Sequence, residues 1–303
     1  MSGCSWFWLI RNHWKRKHTI VDEGHGPKKY RRRQLCEYLS TLIRACANKD
    51  NTEETCDKAI LGAIQFHRKS KLKNNRVCLM GKYHNVLYVA ARIAFKFNLR
   101  NTTTVQQLLQ EIFDCEQTFE RLVSGAIFGP KICSAFSGWK SEFDNRNECL
   151  QALKYFLHHA MLARLQFSLN GTEVRMVDVP LQTCMRASPA TVAIHAQRPD
   201  VFLLLVQYGA KVHQLPYGLL SPLEMLDEMI NCHSGVTCHI FTCRNIAAVV
   251  RPSGVEGWPV ASLKHLARVA IRESLNDNFQ LPVGIYLLPL PKSLIRYISL
   301  EGE

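Results

Sequence analysis

The sequence predicts an all-α protein assembled from packed helical pairs. Apolar residues recur at three- and four-residue steps along most of the chain, whereas strand-like alternation is confined to Val174 through Val179. In the second half Ser188-Pro189 returns 33 residues later as Ser221-Pro222, a period that marks a helical repeat.

The chain begins with charge. Residues 1–33 hold nine Lys and Arg against Asp22 and Glu23, so they supply +7 of a formal +13 over 303 residues. Trp6, Trp8 and Trp14 lie beside Lys15-Arg16-Lys17, and the segment ends in Lys28-Lys29-Tyr30-Arg31-Arg32-Arg33. This reads as a basic, flexible N-terminal arm. Its composition suits a salt-sensitive contact with nucleic acid or an anionic membrane, or nuclear import; a solvated, flexible tail is the favoured account of it. The rest of the chain shares +6, which excludes a protein built around nucleic acid.

Residues 34–180 read as a helical region whose pairs are candidates for divergent ankyrin-like repeats. Leu35, Leu39, Leu42, Ile43 and Cys46 form one stripe; Ala59, Ile60, Ala63, Ile64 and His67 form the next. Asn85 to Phe97 is a third helix. Thr104 is the expected N-cap of a fourth, with Val105, Leu108, Leu109, Ile112 and Phe113 on its apolar face. Leu150 through Leu165 marks a fifth.

Residues 188–250 contain the repeat. Ser188 is a capping hydroxyl and Pro189 takes the first helical position, where a missing N–H costs nothing. Ala193 allows two helices to approach closely, Leu204 and Leu205 lie on the second helix, and Gly209 ends it in the left-handed conformation. Ser221 and Pro222 open a weaker second copy with Glu224 completing a capping box. The run Ser188 to His213 resembles an ankyrin repeat without gaps. It departs from the usual pattern at Thr191 (usually His), Ile194 (usually Ala) and Gln197-Arg198 (usually Gly-His). Two repeats cannot bury their faces alone, so upstream helices must stack on them.

Two Pro and two Gly mark residues 251–260 as a linker. Beyond it, residues 261–303 are too few for a self-sufficient core. Ser262 caps a helix on which Leu263, Ala267 and Ile271 form a stripe widened by Leu266, a shape suited to inserting a knob into a partner's pocket. Leu288-Pro289-Leu290-Pro291 follows, then a last helix from Lys292 to Ser299. This segment resembles a SOCS box, a three-helix module. Ser262, Leu263, Ala267 and Ile271 fit its elongin-binding pattern, with Ala in place of the commoner Cys. Leu288 to Pro291 fit the Leu-Pro-x-Pro of its cullin-binding half.

Together the two likenesses resemble the ankyrin repeat and SOCS box protein family. That resemblance implies an ankyrin-type solenoid ending in a SOCS box, with Ser262, Leu263, Leu266, Ala267 and Ile271 docking on elongin C (with elongin B). It also implies that Leu288, Pro289, Leu290 and Pro291 help to hold cullin-5 with its RING partner. The expected function is a non-catalytic substrate-recognition adaptor that directs ubiquitination of a target protein. The alternative is an ankyrin scaffold or nucleic-acid binder acting through the basic arm, with the C-terminal helices merely capping the solenoid. Capping would pack Leu263 and Leu288 internally.

Other chemistry is sparse. The sequence carries no GxSxG, HExxH, GxGxxG or phosphate-cradling GxxxxGK[ST], so no enzyme, cofactor or metal is expected. The 12 cysteines contain no Cys-x-x-Cys pair and read as buried thiols of a reducing compartment. Cys232-His233, Cys238-His239 and Cys243 are the densest Cys/His grouping, with spacings unlike those of structural zinc. His158-His159 is expected to be one buried and one exposed ring. No apolar run spans a membrane, and the N-terminus has neither a secretory pattern nor a myristoylation glycine, so a cytoplasmic or nuclear location is expected.

Overall fold

A computed structural model describes residues 28–46, 52–80, 83–130, 132, 141, 143–182, 184, 186–211 and 262–301. Helix α1 spans Lys28–Cys46 and buries Leu35, Leu39 and Ile43. The boundary expected after residue 33 falls inside it, because Lys28 to Arg33 form its first turns. Helix α2, Thr52–Leu72, buries the stripe read from the sequence, Ala59, Ile60, Ala63, Ile64 and His67. Helix α3, Asn85–Lys96, is buried along most of its length.

Helix α4 spans Thr102–Glu116. Its cap is Asn101, whose side-chain oxygen accepts the Thr103 N–H at 3.1 Å. The expected cap, Thr104, lies buried in the first turn. Asn caps at least as well as Thr and precedes three threonines, so the helix starts earlier. Helix α5, Glu120–Phe128, is short, and α6, Arg146–Leu162, is capped by Asn145, which accepts the Glu148 N–H at 2.8 Å. Within α6, His159 is buried and His158 half-buried.

The strand expected at Val174–Val179 is displaced. The chain instead forms an antiparallel hairpin of β1, Phe167–Leu169, and β2, Thr172–Val174, followed by a 3-10 turn at Met176–Asp178. Asn170 and Gly171 both take positive φ, as a two-residue hairpin turn requires. Helices α7, Pro189–His195, and α8, Pro199–Gln207, complete the body as a helical hairpin.

The helices stack in pairs. Helix α1 lies on α2 and α3; α2–α3, α5–α6 and α7–α8 are the successive pairs, with α4 packed against α2, α3 and α6, and α5 against α7. One apolar core runs through all of them. Polar bridges tie the layers: Tyr155 donates to the Leu99 carbonyl at 2.8 Å, and Arg198 to the Ile127 carbonyl at 2.8 Å.

The C-terminal module consists of α9, Leu263–Asp277, a 3-10 turn at Val283–Leu287, and α10, Lys292–Ser299. The expected three helices are thus two α-helices and one tight turn. Pro282 and Pro289 flank that turn and keep it from lengthening. The expected second repeat, with Ser221 and Pro222, the Cys232–Cys243 grouping, the linker and the first 27 residues of the arm lie outside the described residues.

Candidate functional site

Ser262 sets the phase of α9 by accepting the His265 N–H at 3.2 Å. With that phase, His265, Arg268, Arg272 and Leu275 turn inward at three- and four-residue steps. Leu263, Leu266 and Ala267 turn to solvent; Leu263 is 82% exposed. Ile271 is half-buried at the edge of the module's small core. The usual amphipathic arrangement is therefore inverted, with arginines covered and an apolar stripe bare. That arrangement points to a further surface that covers the stripe.

The buried face holds the module to the body. Arg272 Nη1 donates to the Ile298 carbonyl at 2.9 Å, and its Nη2 donates to the Val206 carbonyl on α8 at 2.6 Å. Burial, reinforced by the charge of Arg268, pushes Arg272 down to about 10, which still leaves it protonated at neutral pH. Arg268 donates to His265 Nδ1 at 3.0 Å and stacks 4.1 Å over the Tyr297 ring, which Lys264 also approaches at 4.1 Å. Elsewhere on this junction Gln207 donates to the Ser299 carbonyl at 3.2 Å, Arg175 donates to Asn276, and the Arg175 guanidinium lies 4.3 Å over Phe279.

The second half of the module has a core of Leu275, Leu281, Ile285 and Ile298. Leu288 and Leu290, singled out from the Leu-Pro-x-Pro motif, are half-buried against this core, while Pro289 and Pro291 are exposed. The open apolar surface comes from their neighbours Val283, Tyr286, Leu294 and Leu287, the last 78% exposed. These four were missed because the motif names the residues that shape the turn and not those that the turn pushes outward.

In the α7–α8 hairpin, Ser188 caps α7, accepting the Thr191 N–H at 3.2 Å and sharing a 2.9 Å hydroxyl contact with Thr191. Thr191 is fully buried, so its polar atom is satisfied within the hairpin. Pro189, Ala193, Leu204 and Leu205 are buried, and Gly209 has φ +83°.

Residues 259–299 match the family model of the SOCS box. The chain carries a SOCS box. Neither the curated proteins nor the solved structures returned a match to the chain. The SOCS box is the module that links substrate receptors to elongin B/C and cullin ubiquitin ligases. On this SOCS box, four of the five residues assigned to elongin C (Ser262, Leu263, Leu266 and Ala267) are exposed, and Ile271 borders them.

No helix among the described residues is long and apolar enough to cross a membrane. One grouping of metal-ligating side chains escaped the sequence reading: the donor atoms of His67, Cys78, His84 and Cys115 all lie within 4.8 Å of one another. These residues are 11, 6 and 31 positions apart, without the close Cys pairs that advertise zinc. Only the fold brings them together.

Proposed function

We propose that this chain is a non-catalytic substrate receptor of an elongin B/C–cullin-5–RING ubiquitin ligase. In this reading Leu263, Leu266, Ala267 and Ile271 dock on elongin C, and the turn around Leu288 to Pro291 helps to hold cullin-5. The stacked helical pairs, read as ankyrin-type repeats that diverge from the usual motif before residue 180, present a target protein. Ubiquitin reaches the target from the RING-bound enzyme, so the receptor acts by raising effective concentration and supplies no reacting group. The buried thiols at Cys36, Cys56 and Cys149 fit a reducing cytoplasm or nucleus.

The observation that carries this reading is the bare apolar stripe of α9. Helices that only capped a solenoid would turn Leu263 inward, and it is among the most exposed large apolar side chains described. The arginine face turned against α8 also gives the SOCS box a fixed seat on the helix stack, as a receptor that must aim its target requires.

Coexpression with elongin B–elongin C followed by size-exclusion chromatography tests it. Wild type is expected to co-elute as a 1:1:1 complex, and Leu263→Asp/Ala267→Asp to lose it, because each carboxylate would be buried unpaired in an apolar pocket. Failure of folded wild type to co-elute would leave the adaptor reading without support.

A further inference from the structure

We propose that His67, Cys78, His84 and Cys115 bind one structural zinc ion that ties α2, α3 and α4 together. His67 lies on α2, Cys78 in the segment that leaves α2, His84 immediately before α3, and Cys115 in the last turn of α4. Their contacts have the dimensions of a metal's coordination shell. Cys78 Sγ is 3.3 Å from His67 Nε2 and 3.5 Å from His84 Nδ1, and Cys115 Sγ is 3.8 Å from His67 Nε2. A tetrahedron with Zn–S and Zn–N bonds of ordinary length has edges of about 3.3–3.8 Å.

The surroundings of the two rings make the same case independently. Each histidine offers one ring nitrogen to the cluster and turns the other to a buried carboxylate. His67 Nδ1 lies 2.9 Å from Glu111 Oε1, and His84 Nε2 lies 2.6 Å from Glu116 Oε1. Metal-ligating histidines are oriented in this way, the carboxylate fixing which nitrogen keeps its proton. The carboxylates are fixed in turn: Arg68 donates to Glu111 at 2.6 Å, while Tyr88 at 2.6 Å and Arg121 at 3.3 Å donate to Glu116. Hydrogen bonding among thiols is too weak to justify collecting two imidazoles and two carboxylates here.

Charge and ligand type select the ion. Two thiolates neutralise a divalent cation, Glu111 faces Arg68, Glu116 faces Arg121, and Lys71 Nζ approaches Cys115 Sγ at 3.6 Å. Two nitrogens and two sulfurs in a tetrahedron suit zinc and exclude magnesium and calcium, which take oxygen. Four protein ligands fill the shell, so the ion is structural: it leaves no position for a reacting water. The site pins the first layers of the stack on which α5 to α8 build.

The full-length chain, purified without chelator, is expected to hold one zinc per chain by mass spectrometry of its metal content. Exchange for cobalt(II) should give the d–d bands of a tetrahedral site and a thiolate charge-transfer band in the near ultraviolet. Glu116→Gln keeps all four ligands and is expected to weaken zinc binding by about 10–100-fold in competition with a chromophoric chelator. Cys78→Ser should lose the metal, and Cys184→Ser should keep it. Folded wild type that purifies without metal and takes up no cobalt overturns the proposal. So does a Cys78–Cys115 disulfide in protein prepared under reducing conditions.

Discussion

Arg272 of the SOCS box reaches out of its own module: its guanidinium donates to the main-chain carbonyl of Val206, 66 residues earlier, at 2.6 Å. A second nitrogen donates to the Ile298 carbonyl at 2.9 Å, so one side chain joins α8, α9 and α10. Removing the fork takes a charged donor from both carbonyls, of which only that of Val206 keeps another partner, the Gly209 N–H at 2.9 Å, while relief of the buried charge offsets part of that loss. Arg272→Met is expected to cost about 2–3 kcal/mol in urea denaturation. Arg272→Lys should recover little, since an ammonium cannot reproduce a planar fork. Both variants leave the Leu263 stripe untouched, so the folded fraction should still bind elongin C.

Two glycines test the seat of the module from the other side. Gly171, at φ +80° in the hairpin turn, has nothing within 4 Å of where a Cβ would stand. Gly209, at φ +83°, would place a Cβ 2.0 Å from Asn276 Oδ1, the atom that accepts from Arg175. Either Gly→Ala change bears the strain of a left-handed residue, about 1 kcal/mol. Gly209→Ala must also displace Asn276, so its melting temperature should fall clearly further than that of Gly171→Ala. Equal losses in the two variants would show that α8 and α9 do not meet as closely as described.

Acid should loosen the body through His159. Burial first, and then the neighbouring His158, holds this imidazole down at about 4, and its Nδ1 lies 3.3 Å from the Thr102 hydroxyl. The unfolded chain takes up the proton near the ordinary value of about 6.5. Between these values the unfolded state binds more protons, so stability falls as pH falls from about 6.5 towards 4 and is level above neutrality. The slope from this one group cannot exceed about 1.4 kcal/mol per pH unit. His159→Gln removes it. The stability advantage of wild type over the variant should therefore be constant from pH 7.5 to 8.5 and shrink by pH 5, read from urea midpoints.

What was legible in the sequence followed from local periodicity. The stripe Ile60, Ile64, His67 and the caps Ser188 and Ser262 are set by residues within two turns of each other, and each appears where expected. Helix α5 was not singled out, because Glu120 through Ile127 is buried on every side and shows no period. The hairpin did carry a signal, Asn170-Gly171 between Phe167-Ser168-Leu169 and Thr172-Glu173-Val174, which the apolar alternation from Val174 onward obscured. The His67–Cys115 grouping had no local signal at all, since α2 and α4 meet only in the folded core.

The one-residue phase of the Leu-Pro-x-Pro turn was equally hidden, and it yields the most direct test of how the SOCS box is used. Leu287 and Leu288 are adjacent and identical in chemistry, yet Leu287 stands in solvent while Leu288 packs against the module's core. An Asp at position 287 replaces exposed apolar surface and should change stability by no more than about 0.5 kcal/mol. If that surface is where the cullin sits, Leu287→Asp should release cullin-5 from a preformed complex with elongin B–elongin C and leave the elongins bound. An Asp at position 288 instead puts a carboxylate against a core of only four buried side chains and should unfold the module, losing elongins and cullin together. Pull-down of both partners, with circular dichroism of each variant, separates the outcomes. Cullin binding that survives Leu287→Asp would move the contact to Tyr286 and Leu294 or away from this turn altogether.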